Sequence, residues 1–109
     1  MTRLEVIQMI GDLITEIDVA RGSLMPDDPS RHTLDDQRIL LDDRQRKLSQ
    51  ALFNDDSRAF QNAAARLADV NEQIAGSIQS VENIVTKIAH IQRFLDAATS
   101  LVKLAGSFV

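Results

Sequence analysis

Cysteine, tryptophan and tyrosine are all missing from this chain of 109 residues. Without cysteine there are no disulfide staples, no thiolate metal sites and no thiol nucleophile, so the fold must hold by packing alone. Aromatic surface is confined to Phe53, Phe60, Phe94 and Phe108, which leaves little from which to build stacking platforms for bases or sugars. Proline occurs only twice and glycine four times, so few positions interrupt a helix. Long apolar runs are absent too. Glu5, Asp12, Glu16 and Asp18 break up the N-terminal aliphatics, and no small-residue cleavage motif follows, which argues against a signal peptide. The C-terminal stretch "FLDAATSLVKLAGSFV" carries Asp96 and Lys103 and falls short of the roughly 20 apolar residues needed to span a bilayer. A cytoplasmic location is the expectation.

The net charge of −4 is unevenly spread: residues 1–57 hold 12 acids against 7 bases, and residues 58–109 hold 4 acids against 5 bases. The bases are scattered, so the basic footprint of a nucleic-acid-binding protein is missing. The size allows one domain with a modest core, spanning 1–109.

What the sequence has in abundance is helical periodicity. Ile10, Ile17 and Leu24 recur every seven residues, as do Val6, Leu13 and Ala20, with Ile7 and Ile14 widening the stripe; this predicts a helix over 2–23. The segment "GSLMPDDPSRH", with two prolines and no periodicity, reads as a loop over 24–33. Thr33 is then placed to cap a second helix over 34–53, in which "LDD" repeats after seven residues and Leu48 and Leu52 continue the apolar side.

After "NDDS" the pattern strengthens. Phe60, Leu67, Ile74, Val81, Ile88, Leu95 and Val102 lie seven apart without a polar exception. Such an unbroken phase predicts a continuous helix over 56–105, about 75 Å long at 1.5 Å per residue. An internal glycine at Gly76 would cost that helix only about 1 kcal/mol. The alternative is a break near Gly76, where Ser77 and Ser80 weaken the helix and Ser80 could cap a new one; that gives an antiparallel bundle of four helices of similar length. The fold class is therefore all-α, either a helical hairpin built on a long C-terminal helix or a four-helix bundle.

Chemistry-bearing constellations are sparse. His32 falls in the proline-bounded loop, and His90 is flanked at three and four residues by Thr86, Lys87, Arg93 and Phe94, so neither meets a second ligand at zinc spacing. The aspartate pairs 27–28, 35–36, 42–43 and 55–56 lack the central glycine and distal glutamate of a calcium-binding hand. Asp35 with Arg38, Asp42 with Arg46 and Asp43 with Lys47 stand at helical pairing distance, which favours solvated ion pairs. There is no phosphate-cradling loop, serine elbow or paired-histidine motif. No catalytic residue, cofactor or metal is expected.

These readings predict a non-catalytic module that binds proteins by helix packing and pairs with itself, an assembly or adaptor unit. Its expected interface is Ile74, Val81, Val85, Ile88, Leu95 and Val102, on the half of the long helix left uncovered by the first two. The competing expectation is a small acidic immunity protein, antitoxin or chaperone that covers a basic partner with Asp35, Asp36, Asp42 and Asp43. A membrane-surface role for the C-terminal helix is disfavoured, because Arg93 and Lys103 are too few cations for an interfacial helix.

Overall fold

The computed structural model describes residues 2–50, 57–78 and 84–106, with side chains throughout except at 74–78, 105 and 106. Among these residues there are four helices and no strand: α1 Arg3–Gly22, α2 Pro29–Gln50, α3 Arg58–Ile78 and α4 Ile84–Gly106.

The long helix over 56–105 does not form. Its span is divided into α3 and α4, which pack against each other. Five residues separate Ile78 from Ile84, a connection length that lets two packed helices run antiparallel. Gly76 itself lies within α3, so the division comes after it, and Ser80 lies outside the described residues. The physical reason is burial. A 75 Å rod would leave half its apolar stripe bare, whereas folding it back covers both halves within one chain. The heptad phase survives because both helices face the same core.

The start of α2 also differs from the sequence reading. The helix begins at Pro29, not after Thr33. Asp28 receives the backbone N–H of Ser30 on its carboxylate at 2.8 Å, and its carbonyl accepts from Arg31 and His32. Proline at the first helical position costs nothing there, since its missing N–H would be unpaired anyway. His32 thus sits on a helix, and Thr33 bonds back to the Pro29 carbonyl. At the other end of the chain, Thr2 caps α1 in a reciprocal pair with Glu5.

The packing order is α1 on α2, α2 on α4, and α4 on α3. Arg21 with Asp35 at one end and Gln45 with Ile7 at the other make α1 and α2 antiparallel. Gln37 with Ile88 and Arg44 with Thr99 make α2 and α4 parallel. In a square up-and-down bundle, parallel helices lie on a diagonal. Here that diagonal pair is in contact, so the bundle is flattened, with extents of 42 × 24 × 17 Å.

This arrangement explains the breadth of each apolar face. Helix α1 has one close neighbour and buries Val6, Ile10, Leu13 and Ile17. Helix α4 lies between α2 and α3 and buries a wider arc: Ile91, Phe94, Leu95, Ala97, Ala98 and Leu101. In α2, leucines 34, 41 and 48 form the apolar seam, and the two positions between them are polar. Gln37 donates to the Ile88 carbonyl at 3.0 Å, and Arg44 Nε donates to Thr99 Oγ1 at 3.0 Å. Both tie α2 to α4 at a single register. Next to them, Gln45 reaches across to the Ile7 carbonyl on α1 at 3.1 Å. Gly11 makes room for that reach, because a Cβ there would stand 3.2 Å from Gln45 Nε2. No helix among the described residues is long and apolar enough to cross a membrane.

Candidate functional site

The flattening lets two helices diverge. Helices α1 and α4 are not among the closely packed pairs, and between the C-terminal half of α1 and the N-terminal half of α4 lies a groove of about 370 Å³. Leu13, Ile17, Leu34 and Ile91 contribute its apolar floor, with Val19 and Ala20 beside them. Leu13, Ile17, Leu34 and Ile91 are core residues, so the groove opens directly onto the hydrophobic centre of the bundle. Val19 is 73% exposed. It stands out from α1 next to a hollow.

Two charges of opposite sign mark the groove: Glu16 on α1 and Lys87 on α4. Loss of solvation raises the Glu16 carboxyl above the ordinary glutamate value, the neighbouring Asp12 adds to this, and Lys87 pulls the other way. Glu16 thus sits at a water–apolar boundary with incomplete compensation. Thr15 and Ser23, the remaining polar residues of the lining, spend their hydroxyls on the Gly11 and Ala20 carbonyls.

A second, shallower hollow lies between α3 and α4, lined by Arg66, Val70, Arg93, Asp96, Ala97 and Ser100. Its floor has little apolar area to offer. Asp96 accepts from Gln92 at 3.0 Å and so belongs to its own helix surface.

The residues expected to form an interface are distributed differently from the long-helix picture. Leu95 is 2% exposed and fills the chain's own core, so it offers no surface to another molecule. Ile88 and Val102 are half-buried against that core. Val85 is 69% exposed on α4, and the side chains of Ile74 and Val81 lie outside the described residues. Helix periodicity identified the apolar arc but could not say which part a neighbouring helix would take.

Two of the four aspartates of α2, Asp35 and Asp43, are engaged within the chain. Asp35 pairs with Arg21 of α1 at 2.6 Å, and Arg38 pairs with Asp18 of α1 at 2.6 Å, not with Asp35 as the helical spacing suggests. Arg46 pairs with Asp43 at 3.3 Å, not with Asp42. Asp43 also receives Arg44 and Lys47. The Lys47 hydrogen bond, supported by Arg44 and Arg46, holds Asp43 below the ordinary aspartate value despite the opposing pull of burial. Asp36 and Asp42 are exposed. Asp55 and Asp56 lie outside the described residues.

Among the described residues no group of three or more histidines, cysteines, aspartates or glutamates is placed to hold a metal ion. His32 is exposed on α2 and His90 half-buried on α4. The groove was not legible in the sequence, because it depends on which helices diverge; its one local sign is Val19, an aliphatic residue off the α1 stripe. Comparison with protein-family models, curated proteins and solved structures finds no match to this chain.

Proposed function

We propose that the chain is a non-catalytic protein-interaction module that works through helix packing and associates with itself. The observation that carries this reading is the groove between α1 and α4, an opening of about 370 Å³ onto core side chains, with the exposed Val19 at its side. An unfilled apolar opening of this kind loses dispersion contacts along its lining and gains them when another surface fills it. Among the described residues of the lining, the titratable groups are Glu16 and Lys87, and one carboxylate with one ammonium fixes orientation more readily than it performs acid–base chemistry.

The reading as an acidic neutralising protein has less support. Asp35 and Asp43 are taken up in pairs within the chain, and α2 as a whole carries 4 acids against 5 bases, so it has little negative field to steer a basic partner.

Light scattering behind a sizing column tests the module reading, with refractive-index detection because tryptophan and tyrosine are absent. The expected result is a mass that rises above the chain's 12.1 kDa as concentration increases. A constant 12.1 kDa up to millimolar concentration would remove self-association from the account.

A further inference from the structure

We propose that two copies of this chain pair about a two-fold axis, groove to groove, so that Val19 of each enters the opening of the other and Glu16 of each meets the partner's Lys87. This inference rests on the self-association reading above and gives it a site.

Two features of the groove favour a second copy as its occupant. A two-fold contact uses the same patch on both molecules, so that patch must carry both a projection and a hollow to receive it. The groove has this form: Val19, 73% exposed, stands beside the hollow floored by Leu13, Ile17, Leu34 and Ile91. The second feature is charge. The α1 side carries Glu16 with Asp12 behind it, and the α4 side carries Lys87. Turning one copy over onto another sets the acidic side of each against the basic side of the other. Two equivalent cross-pairs result, and complementary charges of this kind fix register and reject wrong partners.

The pairing also addresses an imbalance in the single chain. Glu16 is exposed at the rim, yet partial loss of water and the nearby Asp12 raise its carboxyl, and Lys87 offsets this only in part. A second ammonium close by would complete its environment, while exclusion of water from the groove would strengthen the interaction.

Charge reversal distinguishes contact between chains from a role within one chain. Glu16→Lys gives a groove with two cations, and Lys87→Glu gives one with only anions, so each variant alone should repel its own copies. Mixed in equal amounts, they become complementary at both cross-pairs. The expected result is that each single variant dimerises about tenfold or more weakly than the wild type, and that the mixture recovers a mass near twice 12.1 kDa. Val19→Asp, at an exposed site, should keep the helical circular dichroism and lose the dimer. Ile39→Asp, on α2 and also 64% exposed but outside the groove, should leave the dimer unchanged. A wild-type dimer that ignores the groove variants but yields to Ile39→Asp would overturn the groove assignment while leaving self-association standing. A wild type monomeric at all concentrations would overturn both, and would leave the groove to an occupant such as a small apolar molecule. Failure of the mixture to associate, with both variants folded, would overturn the cross-pairing.

Discussion

Gln37 is the most informative single residue. It is 3% exposed, sits between Leu34 and Leu41 in the apolar seam, and donates its side-chain amide to α4 while its side-chain oxygen Oε1 has no hydrogen-bond partner among the described residues. A buried acceptor without a donor costs about 1–3 kcal/mol, more than the net value of an ordinary hydrogen bond. Gln37 therefore contributes alignment of α2 with α4 at some expense in stability. Gln37→Met, of similar length, is expected to raise the urea midpoint, by about 1 kcal/mol in unfolding free energy; a loss of that size would mean the bond to the Ile88 carbonyl outweighs the orphaned oxygen. The sequence marks Gln37 only as a polar interruption of a leucine repeat. Whether such a residue faces solvent or a neighbouring helix depends on α4 lying on that side, which the repeat does not encode.

Glu16 gives a pH dependence at the same scale. Its folded value lies above its unfolded one, so the folded chain holds the proton more tightly. The associated stability is present below the ordinary glutamate range and is lost as pH rises through the raised value. Glu16→Gln should therefore be more stable than the wild type at neutral pH, with the difference vanishing below about pH 4. Unfolding must be followed at dilutions where the wild type is monomeric, since the same residue is assigned to the contact between copies. A variant less stable than the wild type at neutral pH would show that the attraction of Lys87 exceeds the cost of lost solvation.

At the scale of elements, boundaries follow from caps more than from apolar spacing. Periodicity gave α1 and the helical character of α2, α3 and α4, but it placed the start of α2 five residues late, because the Asp-Asp-Pro-Ser run resembles a turn as much as a helix start. The structure resolves the ambiguity with Asp28 as the capping carboxylate and Pro29 at the first helical position. Asp28→Ala is expected to cost about 1 kcal/mol by chemical denaturation. No loss would mean that the Asp28 side chain does not contribute to holding the α2 terminus.

The heptad over α3 and α4 shows a different limit of sequence reading. Phe60, Leu67 and Leu95 are buried as the repeat implies. The deepest part of α4, however, also includes Phe94 and Leu101, one position before the repeat. That displacement arises because α4 must satisfy both α2 and α3, so its buried arc is wider than a coiled-coil seam. A conserved phase across two helices therefore reports a shared core and not a single rod. The choice between them turns on the exposed area a rod would leave, a property of the whole chain.

For the whole molecule, the contact of α2 with α4 decides both shape and surface. It flattens the bundle, draws α4 away from close packing with α1, and leaves the groove open onto Leu13, Ile17, Leu34 and Ile91. The all-helical class was legible from the sequence, with the four-helix form present as the alternative. The groove was not, because Val19 becomes conspicuous only once its neighbours are known. This opening is the surface through which the chain is proposed to associate. Sedimentation equilibrium of wild type and Val19→Asp side by side, with interference optics, tests it most directly. The expected result is a concentration-dependent rise toward twice 12.1 kDa for the wild type and a single-chain mass for Val19→Asp; equal masses for the two at every concentration would contradict that assignment.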